Sequence, residues 1–156
     1  MRKFFRMYDR FIETTLSILY FTLIIVVFVN VITRYLINIP FMWAEELGRY
    51  LFVWIVYLGA AQAFKDKRHL TVDFLSNKIP NPYKTYLSLI IYVILIIFIF
   101  FLFIYGLKFV KLGINRPAYS FDIGLAFFYA AIPVGSLCML LNIFRVIPEI
   151  IKTLKK

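Results

Sequence analysis

Acidic residues are scarce in this chain, 8 against 18 lysines and arginines, and it has one cysteine and one histidine. The lone Cys138 excludes an intramolecular disulfide. The lone His69 excludes bis-histidine haem ligation and a His-rich metal centre, and near a helix end it reads as an interfacial residue. No glycine-rich loop of the phosphate-cradling kind is present. No serine, threonine or cysteine stands with the base and orienting group that an activated nucleophile needs. Glu45 and Glu46 are adjacent and therefore diverge, which is poor geometry for two-carboxylate catalysis. Gly/Ser-rich and acidic linkers are missing too. These absences leave no catalytic or metal-ligating residue to nominate, no cofactor, and no soluble module.

What the chain has instead is apolar surface. Of its 156 residues 63% are hydrophobic and 20% aromatic, against about 45–50% apolar in soluble domains. A soluble core of this size cannot hide that much, because small domains keep much of their surface in water. The expectation is an all-α integral membrane protein forming one domain over residues 1–156. The net charge of +10 raises nucleic acid as a partner. The cations sit at the ends of apolar runs, however, so membrane lipid and topology explain them better.

Residues 40–75 organise the rest. Between Arg49 and Lys65 lie fifteen uncharged residues, Tyr50 to Phe64. A helix of that length covers about 22 Å, short of the roughly 30 Å hydrocarbon layer. A span here must therefore draw the turns carrying Glu45, Glu46 and Arg49 to the membrane edge, where charges are tolerated near the interface or against protein. Uncharged runs at Thr14–Thr33 and Thr85–Leu107 supply two further spans, and the region after Asp122 a fourth. The predicted spans are about residues 11–34, 41–64, 85–108 and 122–145. The first follows a basic start and is too long for a signal peptide's apolar region.

The polar 65–84 connection, ended by Pro80 and Pro82, reads as a short amphipathic helix lying on the membrane surface between spans two and three. Small residues four apart, Gly59 with Ala63, Ala126 with Ala130 and Ala131 with Gly135, predict close helix approach on spans two and four. The bulky third span is expected to see the most lipid, and Pro133 to kink the fourth. Thirteen of the 18 cations lie at the two termini and in the 65–84 connection, so the positive-inside rule puts those in the cytoplasm.

Glu45 and Arg49 have the acid-first spacing of an ion pair on one helix face. Glu46 projects about 100° round, with Arg34 or the Lys108–Lys111 pair as candidate partners. Two readings stand: a proton or substrate site, since intramembrane ionisable groups are often functional, or a structural ion-pair network of Arg34, Glu45, Glu46 and Arg49.

The ordered set of Arg34-Tyr35, then Trp43-Ala-Glu45-Glu46-Leu-Gly-Arg49, then Gly59-Ala-Ala, resembles the DctQ-type small membrane subunit of TRAP transporters. The continuation Arg68-His69-Leu-Thr-Val72-Asp73-Phe-Leu75, with Ile79-Pro80, is similar to that family's pattern after span two. The family often has Ile where this chain has Leu70. The likeness covers nearly the whole chain.

The resemblance implies a three-part secondary transporter of a bacterial inner membrane. In it a periplasmic substrate-binding protein captures an organic carboxylate, such as a C4-dicarboxylate or sialic acid. A large membrane subunit then moves it inward by an elevator motion coupled to sodium. The small subunit scaffolds the large one and holds neither substrate nor sodium. Beside it, the residues themselves suggest a structural ion-pair network or subunit interface at Arg34, Glu45, Glu46 and Arg49, binding-protein docking at Lys108, Lys111 and Arg116, and a cytoplasmic interfacial segment at His69 and Asp73. The competing class is a stand-alone homodimeric proton-coupled transporter built round Glu45 or Glu46. A quinone or thiol-redox membrane enzyme lacks the cysteine pairs and histidines it needs.

Overall fold

The computed structural model describes residues 2–38, 41–65, 81–121 and 123–154. The chain runs through α1 (Arg2–Ile32), a π-helical turn (Thr33–Ile37), α2 (Met42–Lys65), α3 (Asn81–Gly113), a single turn α4 (Ala126–Tyr129) and α5 (Ala131–Leu154). Four segments are long and apolar enough to cross a membrane: Phe5–Leu36, Met42–Phe64, Ile90–Gly113 and Ala126–Arg145. No strand is present among the described residues, only an isolated bridge between Pro117 and Gly124. The expected 65–84 surface helix falls mostly outside the described residues; its last residues, from Asn81, open α3.

α2 shows how the charged turns are recruited. It starts at Met42 and holds 24 residues, about 36 Å of helix, so Glu45, Glu46 and Arg49 are part of the span rather than of a loop before it. α1 does not stop at the apolar run's end. It continues through the π-turn, where Thr33 Oγ1 accompanies the widened turn by donating to the carbonyls of Val29 (3.0 Å) and Asn30 (3.1 Å). Asn38 closes it with φ 55° and ψ 24°, its N–H returning to the carbonyl of Thr33. Asparagine is among the few non-glycine residues that take this left-handed conformation readily.

Laterally the bundle is ordered α1, α2, α5, α3, with α2 and α5 as its centre. One apolar cluster joins Ala61 and Phe64 of α2 to Tyr92 and Ile99 of α3 and to Met139 and Ile143 of α5. A second joins Ile12 and Leu16 of α1 to Leu58. Gly135 makes the central contact possible: a Cβ there would lie 2.6 Å from Cβ of Tyr57 and 3.1 Å from its carbonyl oxygen. Within their most apolar stretches 44% of the fourth segment is buried, as its small-residue spacing predicts, and 22% of α2.

Three expectations are corrected. The helix least covered by its own chain is α1, 11% buried against 17% for α3, because α3 joins the main cluster and α1 packs chiefly along one seam. Gly59 has nothing within 4 Å of where a Cβ would stand. With Ala63 it lines an open groove between α1 and α2, beside Tyr20, Leu23, Phe52 and Val56. The fourth span begins at Ala126, not 122, since the residues before it turn in a hairpin. Pro133 lies in the first turn of α5, just after the single-residue interruption at Ala130 that separates it from α4. Lacking an N–H, proline cannot bond to the residue four back, and Ser136 Oγ covers the carbonyl of Pro133 at 2.9 Å.

Candidate functional site

Glu46 is the best-connected ionisable group at the Arg34–Glu46 end. It stands on the second turn of α2 and is 7% exposed. Its Oε1 accepts the hydroxyl of Tyr50 at 2.6 Å and the backbone N–H of Tyr119 at 2.8 Å, and Oε2 accepts the N–H of Ser120 at 2.7 Å. Bonds to an ionised acceptor are about twice as strong as neutral ones. The expected partners Arg34, Lys108 and Lys111 are not the ones it takes. Three neutral donors hold it, two of them backbone amides more than seventy residues away.

Those amides belong to the hairpin between α3 and α4. It is closed by Ala118 N–H to the carbonyl of Ile123 (3.0 Å), Leu125 N–H to Arg116 (2.9 Å) and Arg116 N–H to Gly113 (3.2 Å). Gly113 lets the hairpin fold back on α4, since a Cβ at that residue would fall 2.6 Å from the nitrogen of Ala126. Tyr50, having given its hydroxyl to Glu46, stacks its ring on Phe128 of α4, centroids 3.6 Å apart and 10° from parallel. The carboxylate thus fastens α2 to the hairpin on one side and, through Tyr50, to α4 on the other.

Glu45 and Arg49 do meet, at 3.9 Å, with side chains 66% and 72% exposed. Exposed pairs of this kind contribute about 0–1 kcal/mol. Arg34 is exposed on the π-turn, and Lys111 and Arg116 are exposed at the end of α3 and in the hairpin. Lys108 lies 5.0 Å over the ring of Tyr105. The four expected network residues therefore form one loose pair and one buried clasp instead of a shared network. His69 and Asp73 lie outside the described residues, as does Asp122. Among the described residues no group of three or more His, Cys, Asp or Glu is placed to hold a metal ion.

A second polar set, at the other end of the bundle, was not singled out from the sequence. Arg145 of α5 bonds both carboxylate oxygens of Asp9 on α1, at 3.0 and 3.3 Å, and covers the ring of Phe5 at 5.0 Å. Gln62 donates to Glu13 at 2.8 Å. Asn142, fully buried, donates to the carbonyl of Ala61 at 2.6 Å. The spacing Asp9-Ile12-Glu13-Leu16 is the available signal, because it sets two carboxylates on the helix stripe that carries the core residues.

Residues 23–153 match the family model described as the DctQ component of tripartite ATP-independent periplasmic transporters. A Haemophilus influenzae protein described as a TRAP transporter small permease is 42% identical over 74 residues, 45% of this chain and 46% of that protein's length. The sialic acid TRAP transporter small permease SiaQ of Vibrio cholerae is 27% identical over 123 residues, 79% of this chain and 69% of its own. The sialic acid TRAP transporter permease SiaT of Haemophilus influenzae is 25% identical over 154 residues, 92% of this chain but 23% of its own. The chain therefore spans about half of the first of these relatives and under a quarter of the last. It is a multi-pass membrane protein, and it belongs to the DctQ family of transporter components.

Proposed function

We propose that this chain is the small scaffolding subunit of a three-part transporter that takes up an organic carboxylate, sialic acid or a C4-dicarboxylate, in symport with sodium. One observation carries the reading. In the sialic acid TRAP transporter permease SiaT the match to nearly all of this chain occupies less than a quarter of a longer polypeptide, which supports a working partnership of this part with a larger permease part. On this reading the small part works with a large membrane subunit, and a periplasmic substrate-binding protein delivers the solute. Substrate and sodium sites belong to the large subunit.

The open α1–α2 groove supports this reading. From Ala44 and Gly48 near the charged end to Gly59 and Ala63, its small residues extend about 28 Å along α2, the length of a membrane-crossing helix. We place both termini in the cytoplasm of a bacterial inner membrane, on the distribution of lysine and arginine. The hairpin, with Arg34, Lys108, Lys111 and Arg116, then faces the periplasm. A stand-alone proton-coupled homodimer built on Glu46 would need that carboxylate free to take a proton, and its three donors weigh against Glu46 in that role.

The test is purification of the tagged chain from its native cells in mild detergent. A larger polytopic membrane protein should co-elute stoichiometrically. A chain that elutes only with itself and transports alone in liposomes would refute the proposal.

A further inference from the structure

α1 carries two arginines one turn apart, Arg6 and Arg10, and both are exposed. Like charges four apart on one helix face repel. The carboxylates nearest in sequence do not relieve them: Asp9 is turned to Arg145 at 3.0 Å, and Glu13 receives Gln62 at 2.8 Å. Among the described residues neither arginine has an ion-pair partner. Their Cβ atoms are neighbours, about 5–6 Å apart, close enough for both guanidiniums to hold one anion between them.

Beside the arginines the same face is apolar. Met7 and Phe11 are 74% and 72% exposed, and Ile18, Phe21, Ile25 and Phe28 continue the stripe along the helix. Ile18, Phe21 and Ile25 each stand two residues, about 200°, before Tyr20, Leu23 and Val27, which line the open α1–α2 groove. A helix seated in that groove therefore leaves this stripe uncovered.

Depth places the arginines at the headgroups. The uncharged run Thr14–Thr33 is about 30 Å of helix, the thickness of the hydrocarbon layer. Arg10 stands four residues, about 6 Å, beyond that run, inside a headgroup layer of about 5–8 Å on each side. Arg6 lies one turn farther out, with a flexible side chain long enough to turn back to the same group.

We propose that Arg6 and Arg10 form a binding site for an anionic phospholipid. Its phosphate bridges the two guanidiniums, and its acyl chains lie along Phe11, Ile18 and Phe21. The guanidinium fork matches the paired oxygens of a phosphate. A zwitterionic headgroup brings its own cation against the pair, so phosphatidylglycerol fits better than phosphatidylcholine. Such a lipid relieves the repulsion and fixes the depth of the span least covered by its own chain. The inference needs only that α1 crosses the membrane, and it stands apart from the transporter reading.

The test uses the full chain purified in mild detergent, with any protein that co-elutes. Bound lipid is counted by native mass spectrometry as phosphatidylglycerol or phosphatidylcholine is added. The wild type should hold one phosphatidylglycerol per chain at least about tenfold more tightly than phosphatidylcholine. Arg6→Gln and Arg10→Gln should each weaken that binding about fivefold, and the double variant should lose it. Arg10→Lys, which keeps the charge without the fork, should fall between wild type and Arg10→Gln. Arg34→Gln removes the same charge at the far end of the span and should change binding less than about twofold. A double variant that keeps the wild-type preference would overturn the site. Equal loss in Arg34→Gln would reduce it to net charge, and displacement of the lipid by inorganic phosphate would make it a free-anion site; either result also overturns the proposal.

Discussion

Asn142 of α5 and Ala61 of α2 are joined by a 2.6 Å bond from the side-chain amide to the backbone carbonyl, and neither residue is exposed. In an apolar bundle such a bond has no competing water, although measured values in membrane proteins average only about 0.6 kcal/mol. Its position matters more than its strength, because it ties the two central helices where the main apolar cluster closes.

Asn142→Ala removes the bond and leaves a void. The expected loss is on the order of 1–3 kcal/mol, combining the interhelical bond with a small cavity. It should appear as a lowered unfolding midpoint in mild detergent, and an unchanged midpoint would show the contact to be incidental.

The Asp9–Arg145 pair makes a second, coupled prediction. The carboxylate side chain is 11% exposed and the guanidinium 37%, so the pair is partly screened and the values for fully buried pairs must be discounted. Asp9→Asn and Arg145→Gln should each cost about 1–2 kcal/mol. The double variant should cost clearly less than the two together. Simple additivity in thermal denaturation would mean that the two side chains do not interact in the membrane.

Replacing Glu46 by Ala should loosen the hairpin without unfolding the bundle. The amides of Tyr119 and Ser120 should then exchange with deuterium at least about tenfold faster, as expected for local opening, while amides of α5 keep their protection. Glu46→Gln keeps two acceptor-capable positions fewer than a carboxylate offers, so it should fall between. Equal exchange in all three proteins would remove the clasp from the account.

Two glycines should respond oppositely. Gly135→Ala forces a methyl to within 2.6 Å of Tyr57 and should destabilise the chain by about 1–3 kcal/mol through overpacking. Gly59 faces open space, so Gly59→Leu should leave the isolated chain's unfolding midpoint unchanged and weaken co-elution with the large subunit. Full co-elution would show that the groove is not where that subunit packs.

The helices were legible wherever charge bounded an apolar run. Arg49 and Lys65 mark the shortfall that makes α2 recruit its charged first turns, and the small residues at Ala131 and Gly135 announce a packed α5. The start of the fourth span was not legible, because Ile123 and Leu125 read as apolar helix until their backbone groups are seen pairing with Ala118 and Arg116. The partners of Glu46 were hidden for the same reason: a main-chain N–H has no residue type to betray it. Opposite charges nearby suggested lysine or arginine instead. Asp9 and Arg145 were each visible as charges flanking a span, but no local periodicity links two residues at opposite ends of the chain.

That separation has a consequence for how the protein is made. Asp9 and Arg145 are 136 residues apart, and chains emerge at about 5–20 residues per second. For roughly 7–27 s after its own synthesis, the first helix must wait in the membrane with this carboxylate lacking its guanidinium. During that interval the carboxylate of Asp9 is without the contact to α5, and the arrival of the last helix is the event that supplies it.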